Sequence, residues 1–362
     1  MNTRDVMYVS SNGLGMGHLT RLMAMARRRT SRVRPYVVSM SRAVPLVADE
    51  GLDFEYLPSR DDLGIGSRRW RLVFAQRFAQ VLRRERPDVV VFDGVYPYDG
   101  LLAARTVLPR VRLVWSRRAM WLPGLGRRQL ATSSAFDLVV EPGELAASFD
   151  QGATAGRTDA VRVGPVTLLD DEDLVSRAQA AAALGVDPDR PTALVTLGVG
   201  RINDVESDVG RVVRGLTSVP GLQVVVTRPS IAAADGALPP GVRGVSLYPI
   251  SRYLRAVDLA VAAAGYNSFH ELVGHGVPTA FVANTATGMD DQAARARWAQ
   301  AAGVGLDVGA LDGAGVQRVV DELADPAGRA QMAAALAAVH QPNGAGVAQS
   351  AIEGLLDPAA GP

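Results

Sequence analysis

The residues Ala264-Gly265-Tyr266-Asn267-Ser268-Phe269-His270-Glu271-Leu272 join an apolar strand end to a glycine turn and a helix start that carries an acid. Free backbone N–H groups and the positive end of a helix at such a turn suit a diphosphate. A carboxylate slightly further in suits a sugar hydroxyl. The same residues admit a plainer reading. Ser268 and Glu271 are spaced as a capping box, with Ser at N-cap and Glu at N3, so the acid does not demand a ligand. Asp290-Asp291-Gln292 follow at the next helix start, where Asp291 and Gln292 either offer acceptors and donors to vicinal hydroxyls or serve as first-turn polar residues. Upstream, Gly198-Val199-Gly200-Arg201 ends another apolar strand. Gly198 and Gly200 give a tight loop, and Arg201 could clamp a phosphate by a charge-assisted fork.

A second glycine loop lies near the other end, Ser10-Ser11-Asn12-Gly13-Leu14-Gly15-Met16-Gly17-His18. Gly13, Gly15 and Gly17 alternate, which permits positive φ and close backbone approach to a ligand. The spacing G-x-G-x-G-H departs from the dinucleotide fingerprint G-x-G-x-x-G. The second strand ends in Ser39-Met40-Ser41, with no acid for a ribose 2′-OH, which disfavours a nicotinamide-dependent oxidoreductase. His18 closes the loop at a helix start. Its imidazole could act as a general base on a hydroxyl, or bond to backbone. Asp93 follows a buried strand, Val89–Phe92, and so sits at a carboxyl end level with that loop. It either orients His18 or caps the next turn. His270, His275 and His340 read as structural or surface histidines.

These residues need a frame that brings strand ends together. The first half alternates strands (5–10, 36–40, 54–57, 89–92, 112–115, 138–140) with amphipathic helices, notably 19–29 and 69–84. Strand then helix, repeated, means a parallel doubly wound sheet. The rhythm pauses near Val163-Gly164-Pro165-Val166, and the acidic run Asp170–Asp173 begins a new helix, where acids suit the macrodipole. A second set of strands follows (192–197, 222–227, 242–247, 258–263, 278–282, 304–308), then helices at 312–323, 326–339 and the tail 344–356. The expected domains are 1–165 and 166–345, both α/β and Rossmann-like, with residues 346–362 as a tail helix that packs back on the first domain. Ligands in open α/β sheets bind at the carboxyl ends of strands, which places the expected site in a cleft between the two.

The chain has 362 residues, no Cys and no Lys. Disulfides, thiolate zinc sites and cysteine nucleophiles are excluded. The start of the chain lacks a secretory signal, and no apolar run reaches a membrane-spanning length, so a cytoplasmic location is expected. A net charge of +1 hides a split. Residues 1–165 hold 25 Arg against 16 acids, and residues 166–362 hold 13 against 21. A basic first half suits an anionic partner, such as a lipid surface at the inner face of the membrane or an acidic acceptor, or else reflects solvated arginine-rich helix faces.

With these motifs assembled, the chain resembles the GT-B glycosyltransferases, in particular the peptidoglycan lipid-linked N-acetylglucosaminyltransferase type and its uncharacterised bacterial relatives. The likeness rests on Tyr248-Pro249-Ile250, Ala264 to Ser268, Glu271, Gly276-x-Pro278, Asp290-Asp291-Gln292-Ala293-x-Arg295-Ala296, and Asn12 to His18. It implies two Rossmann-like domains facing across a cleft. It also implies an inverting, metal-independent transfer from a nucleoside diphosphate sugar, a UDP-sugar foremost, to an acceptor hydroxyl. The nucleotide sugar is a substrate, and no cofactor or nucleic acid is implied. Backbone near Ile250 would hold the base, and Gly265, Tyr266, Asn267 and Ser268 the diphosphate, with Gly198 and Gly200 near it. Glu271 would hold the ribose, Asp291 and Gln292 the donor sugar. His18 would be the base with Asp93 behind it. The acceptor could be a small molecule, a lipid-linked glycan or a peptide. Departures bear on substrate: the first loop is not Gly-Gly-x-Gly-Gly-His, the loop after Leu197 lacks the fuller glycine and serine run, and Asp291 stands where that type has His. A nucleotide-sugar 2-epimerase and a non-catalytic nucleotide-sugar-binding partner share the architecture and remain alternatives.

Overall fold

The computed structural model describes residues 3–11, 15–198, 205–228, 238–285 and 288–357. Gly13, Gly200 and Arg201 lie outside the described residues. The chain forms two compact units. The first comprises Met1–Glu144, Gln151–Leu168 and Asn343–Pro362, and the second Leu145–Asp150 and Leu169–Pro342.

The first unit holds β1 (Arg4–Ser10), β2 (Val33–Ser39), β3 (Asp53–Tyr56), β4 (Val89–Asp93), β5 (Arg112–Ser116), β6 (Leu138–Glu141) and β7 (Val161–Arg162). They pair in the order β3-β2-β1-β4-β5-β6-β7, every pair parallel. Val89, Val90, Val91 and Phe92 are fully buried, as a central parallel strand covered on both faces requires. The register aligns Ser10 of β1, Asp93 of β4 and Ser116 of β5 at one carboxyl edge.

The helix Gly17–Arg27 is not amphipathic as its pattern suggests: every residue from Leu19 to Ala26 is buried. One side faces β1 and β4 and another meets the C-terminal helix Ala345–Gly354. That last helix is fastened by polar bonds. The Tyr8 hydroxyl donates to Gln349 Oε1 at 2.8 Å, and Glu353 accepts from the Thr30 N–H and hydroxyl at 3.0 and 2.6 Å. A Cβ on Gly344 would lie 2.1 Å from the Gly164 carbonyl, so only glycine lets these segments meet.

The second unit holds β8 (Thr192–Thr196), β9 (Gln223–Thr227), β10 (Val242–Val245), β11 (Leu259–Ala263), β12 (Thr279–Val282) and β13 (Gly305–Asp307). Their order is β10-β9-β8-β11-β12-β13, again all parallel. The strand order reverses direction at β8 and β11, where open α/β sheets place their ligands. The acidic run does not begin a helix. Asp171–Asp173 is a short 3₁₀ turn, and the helix starts at Arg177 with a Ser176–Gln179 capping box. The Val175 N–H is drawn to the Arg252 carbonyl at 3.2 Å, which holds the intervening backbone off the helical path.

Candidate active site

In the first unit, parallel pairing puts Asp93 beside the start of the Gly17–Arg27 helix, and the two meet. His18 Nδ1 lies 2.6 Å from Asp93 Oδ1. The Ser116 hydroxyl donates to Asp93 Oδ2 at 2.7 Å. Arg21, which composition and spacing had not singled out, donates from Nε to Oδ2 at 3.0 Å and from Nη2 to Oδ1 at 2.5 Å. Arg21 is one helical turn beyond His18, and that i, i+3 spacing was the available signal. Asp93 is 1% exposed. Burial pushes its carboxyl up, but the Arg21 charge and the His18 hydrogen bond outweigh burial and hold it at about 2. An ionised Asp93 accepts from a protonated Nδ1, which leaves Nε2 as the bare, basic nitrogen. Nε2 makes no hydrogen bond among the described residues. Burial lowers the His18 pKa below its ordinary value, Asp93 opposes this, and Arg21 and Arg118 add to it. The imidazole is therefore neutral near pH 7, as a general base must be.

Beside this pair, Gly17 does not take a left-handed backbone. Gly94 is the position with no room: a Cβ there would lie 2.4 Å from the Phe92 ring and 2.5 Å from the Ser11 hydroxyl.

In the second unit, Gly198 follows β8 with φ +85°, a conformation that favours glycine. On the neighbouring strand, β11 runs into Gly265, which is the N-cap of the helix Tyr266–Gly274 with φ −68° and ψ 151°. The capping box at Ser268 and Glu271 is not formed. The helix begins three residues earlier than that spacing implies, because Gly265 already takes the extended cap conformation, and no side chain caps the helix. Tyr266, Asn267 and Ser268 are its first turn, where backbone N–H groups point out of the helix start. Glu271 lies in the second turn. Its neighbour Ser251 is fully buried, and the Ser251 hydroxyl favours the ionised form of the carboxyl. Burial pushes the Glu271 carboxyl up to about 7. Ile250 opens the 3₁₀ segment Ile250–Ala256, which packs on the same helix.

His270 is buried and structural. Its Nδ1 donates to the Tyr266 carbonyl at 2.7 Å and its Nε2 accepts the Leu145 N–H at 3.3 Å. His275 meets Asp171 at 2.7 Å and His340 the Gly274 carbonyl at 3.2 Å.

Asp291 and Gln292 do different things from one another. Asp291 is the N-cap of the helix Gln292–Ala301 and accepts the Ala294 N–H at 2.9 Å. Gln292 is 8% exposed; its Oε1 accepts the Asn284 N–H at 3.0 Å and its Nε2 donates to Asp290 Oδ2 at 3.3 Å. Behind them a buried ion pair joins this helix to the glycine turn. Arg295 Nη1 donates to Asp290 Oδ1 at 2.7 Å and to the Ala264 carbonyl at 3.4 Å, and its guanidinium lies over the Tyr266 ring at 5.8 Å. Asp290 and Arg295 were visible in sequence only as part of a longer motif.

The raised Glu271 carboxyl gives a stability prediction. Its folded value, about 7, exceeds the ordinary 4.5, so the ionised form penalises the fold above pH 7 and the penalty fades by pH 4.5. Glu271→Gln is expected to raise the thermal midpoint by a few degrees at pH 8 and by almost nothing at pH 4.5. Equal midpoints at pH 8 would count against a raised Glu271 carboxyl.

No family model matches the chain. It is 30% identical, over 93% of its length and 93% of theirs, to two proteins named UDP-N-acetylglucosamine–N-acetylmuramyl-(pentapeptide) pyrophosphoryl-undecaprenol N-acetylglucosamine transferase, from Clavibacter michiganensis subsp. michiganensis (strain NCPPB 382) and Clavibacter sepedonicus. Among solved structures it is similar to the glycotransferase of kitacinnamycin (18% identity, TM-score 0.67, 99% of this chain and 100% of that one). It is also similar to MurG of Acinetobacter baumannii (17% identity, TM-score 0.62, 97% and 99%). These likenesses show the shared GT-B fold, and none of the named proteins supports the epimerase reading. The chain is a glycosyltransferase, and it belongs to the GT-B family of lipid-linked N-acetylglucosaminyltransferases.

Proposed function

We propose that this glycosyltransferase moves a sugar from a UDP-sugar to an acceptor hydroxyl with inversion and without a metal ion, with His18 as the base. The observation that carries the reading is the His18–Asp93 pair at 2.6 Å, with Nε2 bare and the imidazole neutral. His18 Nε2 takes the hydroxyl proton as the acceptor oxygen attacks the anomeric carbon. The bond from that carbon to the diphosphate oxygen breaks on the opposite face, and the nucleoside diphosphate leaves. On the donor side, support comes from the first-turn N–H groups of the Tyr266–Gly274 helix, which suit the leaving diphosphate. A Cβ at Gly265 would meet the protein only at 3.8 Å, so the fold itself does not demand glycine there; its bare Cα leaves room for a ligand. Glu271 then holds ribose hydroxyls, the base lies near Ile250, and Gly198 lies close to the diphosphate. Asp291 is the residue for the donor sugar. Gln292, spent on Asn284 and Asp290, shapes the loop that Asp291 ends.

The acceptor we favour is lipid-linked, as in the relatives' names, with the chain acting at the inner face of the membrane. The excess of arginine in residues 1–165 suits an anionic surface. Among the described residues no helix is long and apolar enough to cross a membrane.

Thermal shift with UDP, dTDP, GDP and ADP tests the donor. A ligand at a hundred times its Kd stabilises the native state by about 2.7 kcal/mol. UDP is expected to raise the midpoint most, and Glu271→Gln to weaken that effect. A larger rise with another diphosphate would overturn the assignment of the base.

A further inference from the structure

Arg21 is a buried, permanently charged group set at the candidate reaction centre. It is 3% exposed, it forks onto both oxygens of Asp93, and its Nη2 stands 2.9 Å from His18 Nδ1. Asp93 Oδ1 thus faces two donors, the imidazole and the guanidinium, and Oδ2 faces two more, Arg21 Nε and the Ser116 hydroxyl. With both oxygens engaged, Asp93 has one orientation, and that orientation aims His18 Nε2.

We infer that Arg21 is a positioning residue for transfer, which locks Asp93 in place behind His18 and offsets its negative charge. The inference rests on the reading of His18 as base. A carboxylate alone behind a histidine favours imidazolium, because protonation takes the pair from −1 to 0. With Arg21 in the cluster, protonation takes it from 0 to +1, and the charge of Arg118 acts in the same direction. The consequence is a base that stays unprotonated to lower pH. Among the described residues, the charged groups that face the imidazole are Arg21 on its own helix, Asp93 at the end of β4 and Arg118 just after β5. A purely structural ion pair would bury Arg21 equally well, so the decisive readout is the titration of His18 and not stability.

The chain has four histidines, so a ¹³C-histidine spectrum is assignable by the resonance that His18→Ala removes. In the wild-type protein His18 should titrate below the ordinary histidine value of 6.5. In Arg21→Gln the midpoint is expected to rise by about one pH unit or more, the usual scale for a charge at this distance. In Arg21→Lys the charge stays and the fork is lost. The midpoint should then stay close to wild type while kcat for transfer from a UDP-sugar falls about tenfold at unchanged donor KM. A folded Arg21→Gln with an unmoved midpoint overturns the inference. If Arg21→Gln does not fold, Arg21→Lys decides, and an unchanged kcat overturns it. His18→Ala separates the two readings. Wild-type transfer in that variant removes His18 as base, whereas its inactivity together with unmoved Arg21 variants removes only the role of Arg21.

Discussion

His18→Ala should lower sugar transfer by about 10²–10⁴-fold while leaving the fold and nucleoside diphosphate binding close to wild type. The size follows from the role. Without Nε2, the acceptor hydroxyl must give its proton to water while it attacks. The preserved fold follows from the partners of Asp93. Removing a group from a buried charge usually costs stability, because the charge is left uncompensated. Here Asp93 keeps the Arg21 fork and the Ser116 hydroxyl, so no buried carboxylate is orphaned. The Gly265 turn, proposed to hold the donor, belongs to the second unit, and His18 to the first. Single-turnover transfer, circular dichroism and calorimetric titration with UDP check the three parts. Transfer at the wild-type rate would remove His18 as base. Loss of fold would mean that His18 carries the Asp93 cluster, which the bonds to Arg21 and Ser116 argue against.

The pH profile follows from the same cluster. A base works only unprotonated, so transfer should fail as pH drops through the His18 pKa. Burial, Arg21 and Arg118 lower that pKa, so the acid limb should lie below the ordinary histidine value. The variant His18→Ala should lose the limb altogether.

The meeting of His18 and Asp93 was legible in sequence because parallel sheets are geometrically strict. Two residues that each follow a buried strand at its carboxyl end fall on one edge, and Ser10, Asp93 and Ser116 do so in register. Arg21 was not legible in the same way. Read as a pattern, it is a polar residue on an otherwise apolar helix and belongs on a solvent face. The fold turns it instead toward the carboxyl end of β4, where Asp93 receives its guanidinium. The Ser268–Glu271 capping box failed for a local reason. The S-x-x-E spacing fits a box wherever it occurs, but the turn had already been made at Gly265, which needs no side chain to cap it. Gln292 fits a sugar site by type, and only the fold shows both ends of its amide bound to the chain itself.

Arg295→Met should destabilise the second unit by about 3–5 kcal/mol, the scale for removing one partner of a buried ion pair. Arg295 is fully buried and Asp290 is 7% exposed, so the carboxylate left behind can reach little water. Gln292 Nε2, at 3.3 Å, is too weak a substitute for a guanidinium at 2.7 Å. The substitution also removes the donor to the Ala264 carbonyl and the cation over the Tyr266 ring, two contacts that tie the helix Gln292–Ala301 to the glycine turn. Nucleoside diphosphate affinity should therefore fall along with stability. Adding Asp290→Asn removes the buried charge that has lost its Arg295 partner and should return much of the stability, because a neutral group is not penalised as a buried ion is. It should not return the affinity, because the Ala264 carbonyl still lacks its donor. Urea unfolding and UDP titration of the single and double variants measure the two effects separately. A cost below about 1 kcal/mol for Arg295→Met would show that the turn is held by its own helix start. Stability and affinity restored together would show that the clamp acts through charge alone. Stability restored without affinity would locate the clamp's role in the position of the Gly265 turn, which Arg295 holds from behind.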